Sequence, residues 1–468
     1  MMMEPDTYFL SSDEALRVAT QHNRSDDINQ YELQICYYNG EKIDSDLINL
    51  VHAPIENIVS ILALGTYRLP SKLSFDGMNL SEDVVEEITH HFNFALAEAK
   101  LARKALNEHY LQELLKSKLD FTQGLRIYTS YSTQTRVMRY VLQNIADEFI
   151  QRGFEVLVHI NYGMNDRYCH KVLKEFNPHV TININNLNNK FIGEDVFNFV
   201  WFQDFMPILT NNENIYLRKR DFIYSLLPDF DILLENKNIP YERQGFCVNT
   251  ELYKKNDKTK RKKKIVFIGS SYLDSLGNDK LIRNAVLKLE QIFLNGDDLN
   301  KEVAKEIAKR FNLNIDFVTL RLIPYIIRDI GLLQLCKLKT DYEIEIYGWG
   351  WERYAEMKPY YRGVLTYGKE IADVYSSATF AFAPHHQYTL QQRVFEASSC
   401  GAIPIVYDCR NTSQEDDYEE ALCYYNTTAD LKKILNASIQ KKDFTRLLES
   451  HTYRDFAQIM LNTLKDNL

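Results

Sequence analysis

The stretch RVFEASSCGAIPIVYD, Arg393 to Asp408, sets an arginine and a carboxylate three residues apart in a helix-like run, then a glycine and a proline before a strand-like run. An ionised carboxylate only accepts hydrogen bonds, so Glu396 can take both hydroxyls of a ribose. The planar fork of Arg393 can pair with a phosphate. Gly401 permits a tight turn from helix to strand, and Pro404 stands near the strand start. A helix N-terminus adds backbone N–H groups and a partial positive charge for a diphosphate. Other phosphate chemistries fail on spelling. FIGSSYLDSLG (267–277) is neither the G-x-x-x-x-G-K-[ST] phosphate loop nor the G-x-G-x-x-G dinucleotide turn. The chain has no G-x-S-x-G elbow, so an α/β-hydrolase would lack its nucleophile.

The 468 residues are too many for one ordinary core and predict two or three domains. A formal charge of -9 gives no global pull toward nucleic acid, which is not expected as a partner. The seven cysteines are odd in number and scattered, without a C-x-x-C pair, and fit reduced thiols in a cytoplasmic protein. The start, MMMEPDTYFLSSDEALRVATQ, has no basic region followed by an apolar stretch, and no window approaches 18 uninterrupted apolar residues. No transmembrane segment is expected.

Residues 1–120 read as a helical N-terminal module, with Phe94, Leu101, Leu106, Tyr110 and Leu114 near helical spacing in the segment 81–119. Residues 121–253 then alternate strand and helix: LRIYTSYS (125–132), FEVLVHI (154–160), HVTININ (179–185) and NFVWFQD (198–204) are strand candidates for a first, acceptor-side Rossmann-like domain. KKNDKTKRKKK (254–264) reads as a basic linker, which can also face an anionic substrate or a membrane surface. Residues 265–468 form a second α/β series with strands at KIVFIGSS, YEIEIYGWG (342–350), GVLTYG (363–368), TFAFAP (379–384), GAIPIVYD (401–408) and ALCYYN (421–426). A helical insertion is expected at about 279–338. The fold class is thus α/β, with two tandem Rossmann-like domains facing a cleft behind the helical module.

RVFEASSCGAIPIV resembles the E-A-x-A-C-G-x-P-V-V segment of GT-B glycosyltransferases. The wider stretch IEIYGWGWERYAEMKPYYRGVLTYGKEIADVYSSATFAFAPHHQYTLQQRVFEASSCGAIPIVYDCR (344–410), with the later His451-Thr452-Tyr453, is similar to the transferase domain of CgeB-like spore-maturation proteins. The resemblance covers roughly 200 residues of the C-terminal half. It implies a GT-B fold whose C-terminal domain holds a nucleoside-diphosphate sugar, with Glu396 at the ribose and Arg393 near the diphosphate. Gly401, Gly269, Ser270, Gly348, Trp349, Tyr367 and Gly368 complete the donor-binding set. Retaining members with an E-x7-E pair carry a second acid eight residues before the helix Glu; here that position is Tyr388.

Glycosyl transfer to a hydroxyl needs a stabilised leaving diphosphate and, for inversion, a base. His385 and His386 are candidates for the first role and Asp204 for the second. Asp204 can instead cap the following FMPIL segment, and the loop TSYSTQT (129–135) offers hydroxyls to either substrate. Asp229-Phe230-Asp231 spells the D-x-D of metal-dependent GT-A transferases, but tandem sheets point to the metal-independent class, without a cofactor and with no metal ligands assigned. The expected acceptor is a glycan, a lipid-linked molecule or a protein. A nucleotide-sugar epimerase and a non-catalytic nucleotide-sugar or glycan binder are the alternatives.

Overall fold

A computed structural model describes residues 6–23, 34–47, 49–65, 67–122, 124–132, 136–161, 170–211, 214–256, 258–277, 279–413 and 417–468. The chain divides into two compact units, residues 1–245 with 457–468, and residues 246–456. The division falls earlier than the linker expected at 254–264. Val248 N–H donates to the His451 carbonyl at 2.8 Å, and Val248 and Tyr253 are fully buried in the core of the second unit. Among the described residues no helix is long and apolar enough to cross a membrane.

The first unit opens with short parallel strands β1 (Thr7–Phe9), β2 (Cys36–Tyr38), β3 (Leu50–His52) and β4 (Lys72–Ser74), in the order β3-β2-β1-β4. This sheet is an addition to the helical module read from the sequence, because three-residue strands carry too little alternation to register as a period. Helices dominate around it, above all Glu82–Lys116 of 35 residues. That helix buries Phe92, Ala95 and Ala99 against Tyr8, Ile35, Tyr37 and Leu62. The stripe expected to pack is partly misassigned: Phe94 and Leu101 are 63% and 65% exposed. The two alanines let the helix backbone approach closely, and Arg103 reaches from this side to the Leu62 and Tyr67 carbonyls at 3.0 and 2.8 Å.

The same unit then builds an all-parallel six-stranded sheet from β5 (Arg126–Ser132), β6 (Glu155–Asn161), β7 (Val180–Ile184), β8 (Phe197–Phe202), β9 (Asp221–Ser225) and β10 (Glu242–Arg243), ordered β10-β9-β8-β7-β5-β6. β7 and β8 are buried throughout, as parallel strands covered on both faces must be. The sequence pattern marks the first four strands to within two residues.

The second unit holds β11 (Lys262–Ile268), β12 (Glu343–Tyr347), β13 (Ala378–Phe382), β14 (Ile403–Tyr407) and β15 (Cys423–Tyr425), all parallel, in the order β12-β11-β13-β14-β15. GVLTYG is not a strand. Gly363 and Gly368 take φ of 96° and 100°; the chain just before the segment makes the isolated Ile346–Tyr361 bridge to β12, and the carbonyl of Gly363 itself accepts from Gly348 N–H at 2.9 Å. The insertion comprises helices Lys280–Asn295 and Lys301–Phe311 and a continuous helical stretch from Ile315 to Lys337. Two segments of that stretch, Val318–Leu322 and Ile326–Ile330, pair as π-helix. Pro324 between them has no N–H to give and its ring crowds the carbonyl four residues back, which disfavours regular α-helical pairing there.

The basic run is not one solvated connector. Lys262–Lys264 begin β11, and Arg261 donates to the Cys400 carbonyl at 3.0 Å and to that of Gly401. Lys264 is buried and pairs with the buried Glu345 of β12 at 2.7 Å, while Tyr347 donates to the same carboxylate at 3.0 Å. Lys264→Met alone leaves an unpaired buried carboxylate and is expected to cost about 3–5 kcal/mol. Lys264→Met with Glu345→Leu should recover most of that loss. Urea midpoints at constant m-value check both.

Candidate functional site

In the second unit the strand order is 2-1-3-4-5, so the winding of the sheet reverses between β11 and β13. In open parallel sheets a ligand sits at the carboxyl end of that switch point. Gly269, Ser270 and Ser271 follow β11, and Ala383 to His386 follow β13. The loop after β12 lies alongside: Gly269 N–H donates to the Tyr347 carbonyl and Ser271 N–H to the Trp349 carbonyl, each at 2.9 Å. Trp349 N–H reaches Ser270 Oγ at 3.3 Å, and the Trp351 indole N–H reaches the Gly269 carbonyl at 2.6 Å. The contact leaves no room for a side chain. A Cβ on Gly348 (φ 126°) would stand 2.2 Å from the Gly269 carbonyl oxygen, and one on Gly269 would stand 2.7 Å from the guanidinium of Arg393.

Arg393 rises from helix Gln392–Ser399 and lies against this backbone, with its guanidinium 5.7 Å from the Phe267 ring centroid. A second arginine, Arg328, comes from the π-helical turn of the insertion. It is 6% exposed, stacks 3.8 Å over the Tyr272 ring and donates from Nη1 to the Ser270 carbonyl at 3.3 Å. Its Nε has no hydrogen-bond partner among the described residues. Burial, and then the charge of Arg393, pull its pKa down to about 10, so it remains a cation at neutral pH. The next residue, Asp329, holds the loop it sits on. It accepts from Ser271 Oγ at 2.5 Å, from the Tyr354 hydroxyl at 2.8 Å and from Tyr272 N–H at 3.2 Å.

His385 closes the group. Its Nδ1 lies 2.6 Å from the His386 carbonyl, which can only accept, so the proton is on Nδ1 and Nε2 carries the lone pair. Burial, and then Arg328, push its pKa down to about 3. Both histidines are candidates to neutralise or hydrogen-bond a diphosphate. Each is uncharged at neutral pH, and His386, held at about 4 by burial, hydrogen-bonds the Leu299 backbone.

One helical turn beyond Arg393, Glu396 is 7% exposed and accepts from Gln392 Nε2 at 3.2 Å. Gln392 also donates to the Cys247 carbonyl at 3.0 Å. Burial raises the Glu396 pKa to about 7, opposed by Gln392 and by the charge of Arg393. Tyr253 lies close enough to act on this carboxyl and packs edge-on against Tyr367 at 5.9 Å. Gly368 opens helix Lys369–Ser377 with its Cα facing Leu252. Trp349 is 48% exposed beside the group. Gly401 does not join it. This glycine precedes β14, at the amino end of the sheet, and the space beside it is filled by Arg261.

Asp204 belongs to the first unit, two residues past β8. It does not cap the following helix, Pro207–Thr210, whose N-cap is Met206. Instead Asn185 Nδ2 donates to its Oδ2 at 2.6 Å. Of the loop 129–135, Thr129 Oγ1 donates to the Ile182 carbonyl at 2.9 Å, and residues 133–135 lie outside the described residues. Asp229 and Asp231 stand two positions apart on helix Pro228–Asn236, where side chains do not face each other, and Asp231 pairs with Arg243. Arg328, Asp329, Gln392, Tyr253 and Asn185 were missed by sequence reasoning. The visible signal was Arg328-Asp329, a charged pair inside the apolar run LIPYIIRDIGLLQLC (322–336).

Residues 328–462 match the model of a glycosyl transferase-like family. Similar solved structures include the sucrose-phosphate synthase of Thermosynechococcus elongatus, at 10% identity over 73% of this chain and 98% of that one, with a TM-score of 0.44. Anabaena HepE in complex with UDP and glucose is 10% identical over 73% of this chain and 100% of that one, with a TM-score of 0.42. The lipopolysaccharide outer core galactosyltransferase WaaB is 11% identical over 73% and 99%, with a TM-score of 0.40. No curated protein matches the chain.

Because the folded Glu396 binds its proton more tightly than the unfolded chain, its contribution to stability is complete below about pH 4.5 and is lost as pH rises through about 7. The melting temperature of Glu396→Gln minus that of the parent should therefore increase from pH 5 to pH 8. Thermal melts across that range measure the difference, and a flat difference would contradict the assigned burial.

Proposed function

We propose that this protein is a GT-B-type glycosyltransferase that moves a sugar from a nucleoside-diphosphate donor to a hydroxyl of a glycan, lipid-linked or protein acceptor. One observation carries the reading. Arg328 and Arg393 meet at the switch point of the second unit, beside the backbone of Gly269 and Ser270, and neither has an ion pair among the described residues. Two like charges in a partly dry site repel, and a diphosphate between them converts that repulsion into attraction. The glycosyl transferase-like match at 328–462 contains both arginines, Glu396 and the loop after β12 and supports the reading. The finer resemblance, to CgeB-like proteins, rests on the sequence motifs alone.

In this reading Ser270, Gly269, Gly348 and the arginines hold the diphosphate, Glu396 takes the ribose hydroxyls, and Trp349, Tyr367 and Gly368 lie toward the base. The acceptor oxygen bonds to the anomeric carbon as the bond from that carbon to the diphosphate oxygen breaks. The electron pair leaves with the diphosphate, facing the guanidinium groups, and the acceptor proton passes to Asp204. The two arginines supply the positive charge a divalent metal supplies in other transferases, so the reaction is metal-independent, with no cofactor. Once the diphosphate offsets the arginines, His385 takes up a proton from solvent at Nε2 and donates a hydrogen bond to the leaving group. Tyr388 in place of an acid leaves no second carboxylate at that position for a retaining pair. We place the enzyme in the cytoplasm, where its cysteines stay reduced; peripheral membrane contact fits a lipid-linked acceptor.

Thermal-shift screening with UDP, GDP, ADP and CMP and their sugars tests the reading without an acceptor. One nucleoside diphosphate should stabilise the protein, and Arg328→Met or Glu396→Ala should weaken its binding by about 1.5–3 kcal/mol, roughly 10- to 150-fold. Product analysis then separates transferred sugar, isomerised donor and binding without conversion. Transfer lost to EDTA and restored by manganese would overturn metal independence.

A further inference from the structure

We infer that Asn185 is a positioning residue that aims the carboxylate of Asp204, an inference that rests on the reading of Asp204 as the base. Asn185 stands at the carboxyl end of β7, next to the β5/β7 switch point of the six-stranded sheet, and Asp204 follows the neighbouring β8. The side-chain amide of Asn185 and its own N–H serve one turn. Oδ1 accepts the N–H of Gln203 at 2.6 Å and of Asp204 at 3.0 Å, Nδ2 donates to Asp204 Oδ2 at 2.6 Å, and the backbone N–H donates to the Trp201 carbonyl at 3.1 Å. The amide orientation is therefore unambiguous, with oxygen facing two donors and nitrogen facing a carboxylate. The side chain is 6% exposed and its backbone takes φ 62°, a conformation rare outside glycine but tolerated by asparagine.

A cap or a packing residue would satisfy backbone donors and stop. Here the same amide also ties down one carboxylate oxygen and leaves Oδ1 of Asp204 for a substrate proton. That fixes which oxygen reacts and from which direction, the requirement for a general base. Among the described residues Asn185 acts on this carboxylate unaided by a neighbouring charge. Asp204 as a whole is exposed; desolvation of its carboxyl beside the turn raises its pKa, and the Asn185 hydrogen bond opposes it.

Two variants test the inference in the full chain. Asn185→Gly keeps the positive φ and removes the clamp, and Asn185→Asp keeps two acceptors but cannot donate when ionised. The Asp204 carboxyl is followed by 13C NMR of protein labelled at aspartate Cγ, its resonance assigned by loss in Asp204→Asn. Its titration midpoint should move upward in Asn185→Gly and further in Asn185→Asp, with the Asn185→Gly melting temperature at pH 8 near that of the parent. With whichever nucleotide sugar turns over, kcat should fall at least about tenfold, toward the roughly 10²–10⁴ a positioned base contributes, while donor KM stays. An unmoved midpoint in both variants overturns the inference, as does a uniform loss at every pH that tracks melting temperature. Full transfer activity in Asp204→Asn would instead remove the base and leave the clamp intact.

Discussion

The second unit's site depends on one constraint: two arginines, Arg328 and Arg393, lie against the adjacent backbone of Ser270 and Gly269. Burying a guanidinium outside a salt bridge is costly, even with Asp329 acting on Arg328 and Glu396 feeling the charge of Arg393, and placing a second cation near it costs more. Such an arrangement persists only if the surrounding structure over-determines it. Arg328 is therefore held by stacking on Tyr272 and by the Ser270 carbonyl, and Arg393 is wedged against a glycine with no Cβ in its way. The backbone contact of Gly348 with Gly269 draws the β12 and β11 loops together beneath them.

The helical insertion looks dispensable when viewed as an elaboration of a crossover, yet it delivers the buried cation. The π-helical turn at Ile326–Ile330 sets Arg328 and Asp329 side by side with separate jobs. Asp329 gathers Ser271, Tyr272 and Tyr354, which fixes the loop; Arg328 then has a rigid floor to lie on. Irregular helical pairing at a functional residue is a recurrent use of π turns.

The first unit builds its buried polar structure mostly from asparagines around one ion pair. Asn183, Asn188, Asn189 and Asn198 join Thr181, Asp221 and Arg218 in a buried network, with Arg218 and Asp221 at 2.7 Å. Such networks are costly when half satisfied, so they hold the loops around β7, β8 and β9 to one arrangement. Asn185, two residues past Asn183, makes a separate set of bonds, to Gln203, Asp204 and Trp201, at the carboxyl end of β7.

The sequence alone determined the parallel α/β character, four strands of the six-stranded sheet and all five of the second unit's sheet to within a few residues, and the helix bearing Arg393 and Glu396, because apolar strands and amphipathic helices write their period into neighbouring residues; it missed β9 and β10 and took GVLTYG for a strand. It also placed Glu396 and Asp204 at sheet-edge segments from local pattern. Only the tertiary structure decided that Gly401 lies at the wrong end of the sheet, that Lys264 is buried, that Leu101 is exposed, and that Arg328 comes within electrostatic reach of Arg393, far along the chain. Those outcomes depend on strand order and on the path of the insertion, and neither has a period along the chain. Contacts between residues far apart in sequence are set by packing, which no local pattern records.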